Sequence, residues 1–185
     1  MPPDNPSVAA PPLPSWAVVS TKRREHIDRV TALLDRWATE LALDRARHAG
    51  WLAAGRWHDA LRDAEAAELR SITGDSDSPP ELLHGPAAAI VLGNDGETRE
   101  HVLEAIRWHT VGFAAWGDTG RALYMADFLE PGRKFQHSDR QFLANQVSRD
   151  FDAVFRQVVR MRMEWVIREG LALAPETVAL WNSLC

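Results

Sequence analysis

The sequence predicts an all-α fold, a single helical bundle, and three observations predict it. Apolar residues recur at i, i+3, i+4 and i+7 in one segment after another, which is the spacing of a helix face. No stretch alternates apolar and polar residues for long enough to read as a strand. The breaks between periodic segments are short and rich in Gly, Pro, Asp and Ser, as turns are. The chain has 185 residues, 45% hydrophobic and 25% charged, which suits one domain with room for a sizeable core.

Residues 1–15 hold six prolines. Proline fixes its own φ and lacks an N–H donor, so this stretch reads as a Pro-rich disordered or extended lead-in to a helical domain over 16–185. From Ser20 onward Val30, Leu33, Leu34, Trp37 and Leu41 form the stripe of a first helix. A second helix is expected over 44–61 and a short third over 63–72. The run TGDSDSPP, 73–80, is a polar, proline-ended loop. Helices follow over 80–92, 97–110 and 118–129, with NDG and the glycines near 112–120 as breaks. PGRKFQHSD, 131–139, reads as another loop. One long helix is expected over 138–169, with Phe151, Val154, Phe155, Val158, Met161 and Trp165 on its stripe, and a last short one over 175–184. The long helix has two ways to bury its stripe: within the chain, or in a homodimer against a second copy.

A net charge of −5 argues against a general nucleic-acid binder, which is usually basic. The lone cysteine, Cys185, excludes a disulfide framework and a thiolate metal cage. No basic region followed by an apolar run marks a signal peptide, and no apolar stretch approaches the ~18 residues of a membrane span. A soluble cytoplasmic protein is the expectation.

The informative residues are polar ones on apolar stripes. His26 lies one turn before Val30. His58 follows Trp51 and Ala54, with Asp59 beside it. His84 heads the row Ala87, Ala88, Val91. His109 closes the row Val102, Ala105, Ile106. Asp127 follows Leu123 and Tyr124 at i+4 and i+3. One histidine on such a face is ordinarily a hydrogen-bonded core residue. Four histidines and two aspartates turned inward are harder to satisfy one by one, because each uncompensated polar group is costly to bury. One or two divalent cations would satisfy them together, since imidazole and carboxylate suit iron, manganese, cobalt or zinc. Asp59 has two oxygens and could bridge two ions. His48 and His101 fall among charged residues and read as solvated; His137, in the loop, is ambiguous.

The order His26, His58-Asp59, His84, His109, Asp127 resembles the H…HD…H…H…D signature of the HD-domain metal-dependent phosphohydrolases. ELLHGPAAA (81–89), AIRWHTVG (105–112) and LYMADFLEPGR (123–133) resemble the corresponding blocks of the YqeK-like symmetrical diadenosine tetraphosphate hydrolases, over roughly residues 20–160. The resemblance implies an HD-domain helical bundle and two divalent metal ions, iron foremost, with manganese or cobalt as other candidates. It implies symmetrical cleavage of a dinucleoside tetraphosphate into two nucleoside diphosphates. Carried over residue by residue, His26, His58, Asp59 and Asp127 hold one ion; His84 and His109 hold the other, with Asp59 bridging. The family continues HD as HDxxK, and here Arg62 stands at that place. A planar guanidinium fork is geometrically unlike an ammonium point charge. The extension typical of cyclic-dinucleotide phosphodiesterases is absent.

In this reading a metal pair draws charge off the phosphate chain and makes a water acidic enough to attack at neutral pH. Asp59, Arg62 and Arg133 are the catalytic candidates, and Arg62, Thr110 and Arg133 the substrate-binding ones. Arg133 grips phosphate through its fork, or pairs with Glu130 three positions earlier. Thr110 bonds phosphate or caps a helix. Trp57 and Trp108 stack on a base or pack in the core. Two other readings stand beside this one: an HD-domain hydrolase of another nucleotide or phosphoester, and a non-catalytic nucleotide-binding module.

Overall fold

Ser20 starts the bundle. Its hydroxyl accepts from the Arg23 backbone N–H and caps α1, Thr21–Glu40. The structure, a computed structural model, describes residues 8–133 and 137–185. Among the described residues every regular element is helical. After α1 come α2 (Arg45–Trp57), α3 (Ala66–Thr73), α4 (Pro80–Asn94), α5 (Glu100–Trp108) and α6 (Asp118–Leu129). The chain ends with α7 (His137–Ala144), α8 (Phe151–Arg168) and α9 (Pro175–Asn182). The all-α expectation holds. No described helix is long and apolar enough to cross a membrane.

The boundaries follow local chemistry. Asp44 caps α2 by accepting from the Ala46 and Arg47 N–H groups. Gly74, at φ +70°, closes α3 in the left-handed conformation that glycine adopts without strain. Asp75 then organises the loop by accepting from Asp77 and Ser78. Proline at the first turn opens both α4 and α9.

Two expectations need correction. The second helix does not run to 61: it ends at Trp57, and His58–Asp63 form turns after it. The long helix over 138–169 is two helices. Residues 145–150 turn between α7 and α8, and Asp150 caps α8 by accepting from Ala153 N. An N-cap aspartate begins a new helix more readily than it continues an old one.

α6 runs through the middle. Ten of its residues are buried, and it packs against α1, α2, α5, α7 and α8. α1 and α2 pair on one side, α4 and α5 on another. The α8 stripe is buried largely within the chain, at Val154, Phe155, Val158 and Val159, while Trp165 at its far end is exposed. Residues 8–15 are non-helical and lie against the bundle: the Trp57 indole donates to Pro12 O at 3.0 Å. The rest of the Pro-rich lead-in, 1–7, lies outside the described residues, as does part of the 131–139 loop.

Candidate metal centre

Two of the predicted histidines sit where helices stop. His58 is the C-cap of α2 and His109 the C-cap of α5. The last carbonyls of a helix lack intrahelical partners, and here imidazoles supply them. His58 Nδ1 donates to Gly55 O at 2.8 Å, and His109 Nδ1 to Ile106 O at 2.7 Å. A neutral imidazole with its proton on Nδ1 keeps a bare lone pair on Nε2. A helix C-terminus also favours nearby positive charge. His26, inside α1, gains the same orientation from a carboxylate: its Nδ1 lies 3.2 Å from Glu130 Oε1. His84, inside α4, has no partner for Nδ1 among the described residues.

All four Nε2 atoms converge on Asp59, which the turn after α2 carries into the interior at 3% exposure. The two carboxylate oxygens face different imidazoles. Oδ2 lies 3.5 Å from His58 Nε2 and 3.6 Å from His26 Nε2. Oδ1 lies 3.1 Å from His84 Nε2 and 3.4 Å from His109 Nε2. Asp127, from α6, joins the first group, with Oδ1 at 3.2 Å from His26 Nε2. Within the groups, His58 and His26 bring their Nε2 atoms to 3.4 Å, and His84 and His109 to 3.1 Å. The chain thus brings together all six predicted ligands, each from the predicted segment and all buried.

These residues fit metal ions. Lone pairs facing lone pairs in a dry interior repel unless a proton or a cation lies between them. Imidazole and carboxylate donors suit first-row divalent ions. Two sets meet the spacing: His26, His58 and Asp127, and His58, Asp59 and His109, each with ligand atoms within 4.8 Å of one another.

Guanidinium groups surround the carboxylates. Arg23 Nη1 lies 2.6 Å from Asp59 Oδ2. Arg133 Nη2 lies 2.7 Å from Asp127 Oδ1, and Arg162 Nη1 3.3 Å from Asp127 Oδ2. Burial alone would push both aspartates up. The His58, His109 and His84 imidazoles around Asp59 outweigh it, and around Asp127 so do Arg133, His26 and Arg162; both carboxyls are held well below the usual range. Both are therefore anionic, as a metal ligand must be.

The other predicted residues are placed as follows. Arg133 approaches Glu130, the protein partner weighed for it, with Nε 3.6 Å from Oε1, and it also turns inward onto Asp127, a partner the sequence reading did not name. Arg62 is half-buried, and among the described residues its side chain makes no hydrogen bond or ion pair; burial lowers the His84 imidazole against the pull of Asp59, and the charges of His109 and Arg62 lower it further. Thr110 Oγ1 stands 3.4 Å from His109 Nε2. Trp108 stacks on Phe113 at 5.6 Å, and Trp57 faces the N-terminal segment. His101 is exposed. His48 is not freely solvated: it is half-buried, with Nε2 2.7 Å from Asp35. His137 opens α7, exposed, beside a small cavity that Arg133, Glu130 and Arg140 also line.

Three contributors escaped the sequence reading as parts of the site. Arg23 stands one turn before His26 on the same helix face, a legible signal. Arg162 is a charge beside an apolar stripe, four residues after Val158. Glu130 was visible only as a partner for Arg133; at 2% exposure it is a buried partner of His26.

No family model matches the chain. Among curated proteins, it is 26% identical over 136 residues to a Bacillus subtilis protein named symmetrical bis(5′-nucleosyl)-tetraphosphatase, covering 69% of this chain and 72% of the relative. A Halalkalibacterium halodurans protein of the same name is 25% identical over the same shares. A third so named, from Staphylococcus aureus, is 30% identical over 105 residues, 55% of this chain and 53% of the relative. Among solved structures, a Clostridium acetobutylicum protein described as a predicted HD superfamily hydrolase involved in NAD metabolism superposes with a TM-score of 0.77 at 25% identity, covering 90% of each chain.

Proposed function

We propose that this chain, an HD-fold relative of the symmetrical bis(5′-nucleosyl)-tetraphosphatases, is a metal-dependent hydrolase that splits dinucleoside tetraphosphates such as diadenosine tetraphosphate into two nucleoside diphosphates. The observation that carries the reading is the division of Asp59. One oxygen faces His26 and His58, the other His84 and His109, an arrangement that would let a single carboxylate serve two cations.

In this reading His26, His58, Asp127 and Asp59 would hold one divalent ion, and His84 and His109, sharing Asp59, would hold a second. Iron is the leading choice; manganese and cobalt suit the same donors. When bound, such a pair supplies Lewis acidity toward phosphoryl oxygens and lowers the pKa of water toward ~7. The chain's own residues do the rest. Asp59 would be shared between the two ions. Arg62, with no described carboxylate partner, is free to meet the tetraphosphate chain. Arg133 pairs with Asp127 and would exchange that carboxylate for a phosphate oxygen, its planar fork being suited to either. Thr110 offers a hydroxyl beside His109. The buried walls exclude bulk water, which strengthens each of these interactions.

The reading extends to a cytoplasmic enzyme that takes a nucleotide rather than nucleic acid. A homodimer would use the far end of α8, where Trp165 and Ile167 are exposed. The test is the product profile: metal-loaded protein incubated with diadenosine tetraphosphate should release two ADP. ATP plus AMP, or no turnover beside brisk hydrolysis of a nucleoside monophosphate, would replace this reading with that of an HD hydrolase of another phosphoester.

A further inference from the structure

The four imidazoles are not held alike. His58 and His109 donate Nδ1–H to neutral backbone carbonyls. His84 has no described Nδ1 partner. Among the four, only His26 turns its Nδ1 to a described carboxylate, Glu130, buried to 2% exposure. Glu130 is itself fixed: Oε2 accepts from Arg29 Nε at 2.5 Å and from the Gly132 backbone N–H at 2.7 Å, leaving Oε1 toward His26 at 3.2 Å. Two donors hold one oxygen, and the other has its imidazole and, at 3.6 Å, Arg133 Nε.

We propose that Glu130 is a positioning residue: its buried carboxylate locks His26 with the proton on Nδ1 and the lone pair on Nε2, and so sets the affinity of the His26–His58–Asp127 half of the centre without touching an ion. The inference rests on the metal assignment made above. A carboxylate behind a ligating imidazole fixes the tautomer and raises donor strength, and its loss typically costs ~10–100-fold in metal affinity.

Glu130→Gln keeps the volume and inverts the hydrogen-bond logic. Arg29 Nε and Gly132 N are donors and need an acceptor, so the amide oxygen turns to them. The amide NH2 then faces His26 Nδ1 and accepts nothing. His26 must move its proton to Nε2, the atom that should ligate. The arm that exposes a merely structural role is Arg29→Ala. It removes the ion pair between α1 and Glu130, while the Gly132 N–H still holds Oε2 and the Glu130–His26 hydrogen bond stays in place.

The experiment is Mn2+ binding by chelator competition on the full chain, with histidine 15N spectra of the metal-free protein recorded above pH 9, where the His26 imidazole is neutral and has a tautomer to report. Glu130→Gln should weaken one of two Mn2+ sites about 10–100-fold, leave the other within about twofold, and shift the His26 tautomer. Arg29→Ala should leave both sites near wild type. Equal weakening by both variants, an unmoved tautomer, or two unchanged sites in Glu130→Gln overturns the proposal. If Glu130→Gln does not fold, Glu130→Asp, which pulls the carboxylate back from His26, must show the same one-site weakening. Wild-type protein that binds no Mn2+ would instead overturn the metal assignment itself.

Discussion

Arg23 Nη1 lies 2.6 Å from Asp59 Oδ2, the same oxygen that stands 3.6 Å from His26 Nε2 and 3.5 Å from His58 Nε2. The carboxylate at the heart of the site is therefore steered from outside by a cation one helical turn before the first histidine. Its other oxygen stays turned to His84 and His109. Asp59→Asn should break this division, because an amide has one carbonyl oxygen and no charge. The expected result is one bound ion per chain or fewer, with hydrolysis reduced beyond the ~100-fold that losing an outer partner can cost. Elemental analysis of protein purified without chelators checks the first part; two ions retained in the Asn variant would contradict it.

Metal-free protein should be most stable near pH 6.5. Burial depresses His26, but hydrogen bonds to Asp127 and Glu130 and the charges of Asp127 and Asp59 raise it from 6.5 to about 9. Its stabilisation is complete below 6.5 and is lost as the pH rises through 9. His58 behaves oppositely. Burial pushes it down from 6.5 to about 4 in spite of Asp59, so the unfolded chain takes the proton first and the fold weakens as the pH falls through that window. Glu130 adds to the acid side: burial would raise it, but His26, Arg29 and the Gly132 N–H hold it at about 2, and its contribution fades from 4.5 downward. Thermal denaturation of chelator-treated protein across pH should give a peak with two falling limbs. His26→Ala should flatten the alkaline limb; an unchanged limb in that variant would refute the assignment.

Arg162 ties α8 to the site. Its Nη1 lies 3.3 Å from Asp127 Oδ2 and 3.4 Å from Tyr124 O, its Nη2 donates to Thr110 O at 3.2 Å, and the guanidinium lies 4.1 Å from the Tyr124 ring centroid. Arg162→Ala should cost ~2–3 kcal/mol, the sum of charged hydrogen bonds and a cation–π contact at a largely buried position. Arg162→Lys should recover only part, since an ammonium cannot span three acceptors and lie flat on a ring. Denaturant midpoints of the two variants check this; a Lys variant as stable as wild type would show that charge alone suffices.

The bundle and the six candidate ligands were legible because both are local. Helical phase turned His26, His84 and Asp127 inward wherever the register was right, and each of these residues needed only its own helix to be read. What stayed hidden depends on contacts between distant segments. Arg162 meets Asp127 across 35 positions and Glu130 meets His26 across 104, and neither pairing leaves a periodic trace. The break at 145–150 was missed because the apolar period resumes nearly in phase after it, while the signal against a continuous helix was the single Asp150 cap. The end of α2 at Trp57 was also missed, and it matters more. The cap position frees the Gly55 carbonyl that orients His58, a consequence of where the helix stops rather than of which residues it contains.

Gly85 sets how closely α4 and α5 approach, and with it the His84–His109 half of the site. A Cβ at Gly85 would lie 2.7 Å from Ile106 O, 3.1 Å from Arg107 O and 3.1 Å from His109 Cε1. The first two are backbone atoms that cannot rotate aside, so Gly85→Ala must push the helices apart. Overpacking of this kind costs ~1–3 kcal/mol. The displacement falls between His84, next in the chain, and His109, whose Nε2 atoms now stand 3.1 Å apart. Gly93 on the same helix supplies the contrast: a Cβ there meets only Leu103 Cδ1 at 3.8 Å. Gly93→Ala should be neutral or stabilising by up to ~1 kcal/mol, because alanine has less backbone freedom to lose in a helix. Gly85→Ala should therefore lower the melting temperature and weaken one of two Mn2+ sites, the one opposite to that weakened by Glu130→Gln, while Gly93→Ala does neither. Binding isotherms in which Gly85→Ala and Glu130→Gln affect the same site would refute the division of the centre into halves.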